Sequence, residues 1–165
     1  KMAKAKIQKK STAGLKKSTA AKRKAEIRKR TAGKVKGKAL YKPLAGDTVG
    51  KKNLKPSKYT KSLGSVRKQI LEESGKMKGG QNERFIKAVS KVTGIPKSII
   101  DQVFEKGLKA WTIGHRPGTT APQWARARVY SFIQKGGAVT SGADEALYIK
   151  AKKAIEKKSG QFKLK

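Results

Sequence analysis

Few residues in this chain could do covalent or metal chemistry. It has one histidine, His115, no cysteine and 10 acidic residues in 165. A histidine metal cluster and a cysteine-ligated zinc are excluded, as are disulfides and thiolate catalysis. The acids Glu72-Glu73, Asp101, Glu105 and Asp144-Glu145 fall where helices are expected to start or to face solvent. Pairing with lysine at helical spacing accounts for them without catalysis. Gly79-Gly80 lacks the Lys-Ser/Thr that completes a Walker-type phosphate loop. The sequence therefore predicts no catalytic residue, no cofactor and no metal.

The abundant chemistry is charge. Lys and Arg number 43, giving a formal net charge of +33. Such a charge repels itself in a compact state and calls for a counter-charge. Nucleic acid, an anionic membrane surface or an acidic protein surface would supply it. The excess is mostly Lys, which suits general neutralisation better than bidentate recognition. No apolar run approaches the ~18 residues of a membrane span.

The least random stretch is residues 107–133. Arg116-Pro117-Gly118-Thr119 has the chemistry of a type II turn, with Pro second and Gly third. Thr120 and Gln123 have the spacing of a capping box, and Pro122 suits the first turn of the helix that follows. Two readings stay open. In one, His115, Arg116, Thr119 and Thr120 form an anion site at a helix N-terminus, extended by Arg126 and Arg128. In the other, the stretch is a rigid helix–turn–helix corner, with Trp111 and Trp124 packed across it and His115 hydrogen-bonded locally.

The elements that would position these residues divide near residue 60. Residues 1–60 hold 21 of the cations and only Glu26 and Asp47 as acids. Their apolar residues, Ile7, Leu15, Ile27, Leu40, Tyr41, Leu44 and Leu54, are isolated. Such a segment cannot bury enough surface to fold alone. It reads as a long extended basic arm, with a short helix over residues 20–30 and an extended run over 33–56. Arg23, Arg28, Arg30, Lys51 and Lys52 are its expected contacts to a partner. Lys9-Lys10-Ser11-Thr12-Ala13 recurs as Lys16-Lys17-Ser18-Thr19-Ala20, an echo that low complexity produces easily.

Residues 61–165 read as an all-α bundle of about five short helices. The first runs from a Ser65 cap to Ser74, with Val66, Ile70 and Leu71 inward. The second runs from Asn82 to Thr93 and stops at Gly94. The third starts near Pro96 and carries the clearest apolar stripe: Ile99, Ile100, Val103, Phe104, Leu108 and Trp111. Gly107 lies inside that stripe, where glycine costs about 1 kcal/mol relative to Ala, so a close neighbour is expected there. The fourth follows Thr120 and ends at Gly136-Gly137. The fifth follows Ser141, with Asp144 and Glu145 in its first turn, and closes at Gly160.

Ala110-Trp111, Gly114-His115-Arg116-Pro117-Gly118-Thr119 and Gln123-Trp124-Ala125-Arg126-Ala127-Arg128-Val129 resemble a small uncharacterised domain of large algal DNA viruses and bacteriophages. The likeness spans roughly residues 80–150. Lys58-Tyr59-Thr60-Lys61-Ser62-Leu63 is similar to a short basic element of algal-virus proteins. The resemblance implies a viral origin and a place in the virion, after synthesis in the host cytoplasm. It carries no active site.

Two functions follow as expectations. One is a minor capsid protein whose arm straps neighbouring subunits, with the major capsid protein and neighbouring minor proteins as partners. At ~3.3 Å per residue, 50 extended residues would reach on the order of 165 Å. The other is a non-specific nucleic-acid-condensing protein, packaged with a viral genome or embedded in ribosomal RNA; an anionic inner membrane surface is a separate candidate partner. With few aromatics in the arm for base stacking, sequence reading is not expected.

Overall fold

The computed structural model describes residues 7, 9–47 and 56–157. All regular structure among these residues is helical. It comprises α1 (Lys17–Thr31), α2 (Lys58–Ser62), α3 (Gly64–Lys76), α4 (Gln81–Thr93), α5 (Lys97–Thr112), α6 (Ala121–Ile133), α7 (Gly137–Thr140) and α8 (Glu145–Glu156). Short 3-10 turns cover Lys9–Ser11 and Gly37–Tyr41. The chain sorts into two compact units. The first takes its described residues from Lys1–Lys55 and Leu108–Trp124, the second from Pro56–Gly107 and Ala125–Lys165.

The second unit is built as the apolar periodicity requires. Phe85, Ile86 and Val89 of α4, Ile99, Ile100, Val103 and Phe104 of α5, and Val129, Phe132 and Ile133 of α6 are buried together with Leu147, Tyr148, Ala151 and Ile155 of α8. The rings meet edge-on: Phe85 on Tyr130 at 5.5 Å and Phe132 on Tyr148 at 5.6 Å between centroids. Such tilted aromatic pairs add about 0.5–1.5 kcal/mol beyond the area they bury. α3 packs along α4, and Ile70 is its buried residue. Leu71, expected inward, is 50 % exposed. Adjacent helical positions diverge by about 100°, and the register admits only one of the two.

Gly107 has the close neighbour its position predicts. A Cβ there would stand 2.6 Å from Cα of Ala125, so glycine is what lets α5 and α6 approach. Some boundaries differ from expectation. α3 begins at Gly64 and runs through Gly75 to Lys76. Gly136-Gly137 ends α6 but also opens the short α7. α8 begins at Glu145, with Asp144 at its N-cap. The expected stop at Gly160 lies outside the described residues.

The first unit departs furthest from the sequence reading, which predicts an extended arm. Over the described residues the segment is folded: α1 spans Lys17–Thr31, and the chain returns through the 3-10 turn at Gly37–Tyr41 to a turn at Leu44–Asp47. Ile27 and Leu44 are each only 2 % exposed. The segment finds its partners in residues 108–124 of the same chain. Its own low apolar content could not reveal them.

Candidate functional site

The first unit is organised by polar side chains. On α1 the buried positions are Arg23, Ile27 and Arg30, at i, i+4 and i+7, one stripe of the helix. Two of the three are arginines, so the inward face is itself cationic. Arg23 is fully buried. Its Nη1 donates to the Ala45 carbonyl and to Asp47 Oδ1, both at 2.9 Å, and its Nη2 donates to the His115 carbonyl at 3.0 Å. Arg30 donates to the carbonyls of Lys42 at 2.6 Å and Thr112 at 3.3 Å. Glu26 accepts from the Ala45 N–H at 2.7 Å.

Asp47 is the hub. Besides Arg23 it accepts from His115 Nε2 at 2.7 Å, from the Leu44 N–H at 2.8 Å and from the Gly118 N–H at 3.0 Å. Burial pushes its carboxyl upward. The hydrogen bonds from His115, Gly118 and Leu44, with the attraction of His115, outweigh this and hold it well below the usual carboxylate range. The Gly118 contact exists because residues 116–119 form the predicted turn. Gly118 has φ 81°, and the Thr119 N–H donates to the Arg116 carbonyl at 3.1 Å. A side chain at this position would meet the steric penalty of positive φ.

His115 is wholly buried. Its Nδ1 lies 2.9 Å from the Trp111 carbonyl, which can only accept. Nε2 faces the carboxylate of Asp47 at 2.7 Å, so both ring nitrogens are engaged. Its plane stacks on Trp111 at 4.0 Å between centroids, and Tyr41 stacks on Trp111 at 6.4 Å. Trp111 Nε1 donates to the Thr119 carbonyl at 2.6 Å.

The candidate anion-site residues are thus distributed. His115 is committed to Asp47 and to the backbone. Thr119 is a turn residue. Thr120 forms the expected capping box: the Gln123 N–H meets Thr120 Oγ1 at 3.4 Å and Gln123 Oε1 accepts from the Thr120 N–H at 3.0 Å. Arg116 is exposed. Arg126 and Arg128 belong to the second unit. There Arg128 grips Asp144 bidentately at 2.9 and 3.0 Å, while Arg126 donates to Asn82 Oδ1 at 2.9 Å. Of the expected arm contacts, Arg23 and Arg30 are internal, Arg28 is exposed, and Lys51 and Lys52 lie outside the described residues. Tyr41 and His115 are ring neighbours of Trp111 in this corner.

Asp47 escapes sequence analysis because its principal partners are 24, 68 and 71 residues away. The one available signal is its rarity: it is one of two acids among the first sixty residues. What faces outward from α1 is Lys17, Lys22, Lys24, Arg28 and Lys29, a cationic surface backed by the buried stripe. On α8 of the second unit Lys150, Lys152 and Lys153 are exposed. Among the described residues no group of three His, Cys, Asp or Glu could hold a metal, and no helix is long and apolar enough to cross a membrane.

The chain belongs to DUF5824, a family of unknown function whose model matches residues 8–150. No curated protein and no solved structure matches it.

Proposed function

We propose that this is a non-enzymatic structural protein of a virion that binds nucleic acid through backbone phosphates, without reading sequence. The observation that carries this reading is the division of labour on α1. Its two buried arginines are held inward by carbonyls and Asp47, while its lysines and Arg28 point outward. Ten acids cannot neutralise 43 cations, so most of the surface charge has no counterpart within the chain. Backbone phosphates at regular spacing suit a surface of flexible lysines. The likeness of the 107–133 stretch to a domain of large DNA viruses supports the virion setting.

The second reading is a minor capsid protein that straps neighbouring subunits. Tyr41, 46 % exposed, and Ile113, 53 % exposed, favour a protein-facing surface. Against it, Ile27 and Leu44, two of the isolated apolar residues of that segment, are already buried within their own unit.

Binding to duplex DNA, measured by fluorescence anisotropy over a salt series, separates the two. Neutralising ~10 phosphates predicts a log–log slope near −9. A flat salt dependence, with retained association to capsid subunits, would reject nucleic acid in favour of the strap.

A further inference from the structure

The exposed face of α1 is not a uniform coat of lysine. At about 100° per residue, the buried stripe of Arg23, Ile27 and Arg30 fixes which positions stand opposite it. Those are Ala21 and Ala25, both exposed. Lys17, Lys24 and Arg28 form a ridge on one side of this alanine strip, at i, i+7 and i+11. Lys22 and Lys29 form a second ridge on the other side, at i and i+7. Each ridge stands about 65° round the helix from the strip. All five cations are exposed, and among the described residues none is in an ion pair. Glu26, the one acid of α1, is drawn inward, where it accepts from the Ala45 N–H at 2.7 Å. Lys24 and Arg28 stand one turn apart with like charge, which weakens a helix. The stability of the chain gives no reason for this pattern, whereas an external anion does.

A single row of anions would be served best by cations at the apex of the helix. Here the apex is small and uncharged, and the charge flanks it on both sides. That shape complements a groove walled by two rows of anions. A helix about 10–12 Å across fits the major groove of B-form DNA, about 12 Å wide and 8.5 Å deep, between its two phosphate backbones. The alanine methyls permit close approach to the groove floor and bring no hydrogen-bonding group to the base edges. A-form RNA offers no such seat, because its major groove is deep and narrow. A bilayer surface is a poorer match, since alanine supplies little apolar area to bury in it.

We infer that α1 seats in the major groove of duplex DNA, with Lys17, Lys24 and Arg28 on one phosphate backbone and Lys22 and Lys29 on the other. The inference rests on the nucleic-acid reading above and deepens it: the form bound is the B-form duplex, and α1 is the element that binds.

The full chain is tested on duplex DNA, on duplex RNA of the same sequence and on vesicles containing phosphatidylserine. At saturating protein, dimethyl sulfate methylation of guanine N7, on the major-groove edge, should fall, and that of adenine N3, on the minor-groove edge, should not. Duplex RNA should bind about tenfold more weakly at equal salt. The double variants Lys24→Gln with Arg28→Gln, and Lys22→Gln with Lys29→Gln, should each make the log–log salt slope on duplex DNA shallower by about 1.8. Glutamine at these exposed positions keeps helix propensity, and far-UV circular dichroism verifies the fold. Protection of N3 in place of N7, RNA bound as tightly as DNA, or a slope changed by only one pair would overturn the seat. Unchanged slopes in both pairs, with steep wild-type binding, would remove α1 as the contact and leave the nucleic-acid reading standing. A flat wild-type salt dependence would remove that reading, and the seat with it. Vesicle binding lost in both pairs, with DNA binding unaffected, would assign the ridges to a membrane surface instead.

Discussion

The two units solve the same problem with opposite materials. The second buries Phe, Ile, Val and Leu on amphipathic helices. The first buries Arg23, Arg30 and His115, bound by Asp47 and by backbone carbonyls, around a stacked Tyr41–Trp111–His115 column. Apolar burial is non-directional and tolerates some repacking. A buried ionic hub is directional: removing the carboxylate leaves the buried Arg23 charged and without its ionic partner. The comparison teaches that a segment too poor in apolar residues to build a core can be folded by a few exact polar contacts.

The largest expected effect is at the hub. Asp47→Ala strands Arg23 and His115 and should cost the first unit about 3–5 kcal/mol. Both tryptophans, Trp111 and Trp124, belong to the first unit. Tryptophan fluorescence during urea unfolding therefore reports this change. An unshifted midpoint would break the contrast between the units.

In the second unit Ile100→Ala should cost about 2–5 kcal/mol by opening a cavity, read as a lowered midpoint in far-UV circular dichroism. The contrast sharpens with a conservative change. Ile100→Val should cost only ~0.5–1.5 kcal/mol, whereas Asp47→Asn, isosteric but uncharged, should still be strongly destabilising.

Acid should act selectively through Asp47. Its folded-state value is depressed below the ordinary 3.8, so ionisation stabilises the fold at pH above 3.8. That stability is lost as pH falls from 3.8 toward the depressed value. Tryptophan fluorescence against pH in mild urea should show the loss below 3.8, and Asp47→Ala should abolish that component.

The smallest effect is expected at Leu71. It is half exposed, and Leu71→Ser should change stability by no more than about 0.5 kcal/mol in the same urea experiment.

These contrasts also explain what the sequence disclosed. The helices of the second unit follow from apolar spacing, and Gly107 announced the approach of Ala125. The turn at Arg116–Thr119 and the Thr120–Gln123 box were legible because their chemistry is local. α1 was legible as a short helix, but its packing was not, because an inward face made of arginine has no apolar periodicity. The Asp47 hub was illegible because each of its distant bonds joins residues that only the folded chain brings together. Arg126 and Arg128 look equivalent in sequence, and only the position of Asp144 separates them.

Amide hydrogen exchange across α1 in the free, partner-less protein tests the central claim most directly. The account predicts that the amides of residues 21–31 are protected in the wild type and that the protection collapses in Asp47→Ala. Exchange of α1 in the wild type at the rate of an unstructured peptide would contradict it, and would return the first third of the chain to an arm shaped only by its partner.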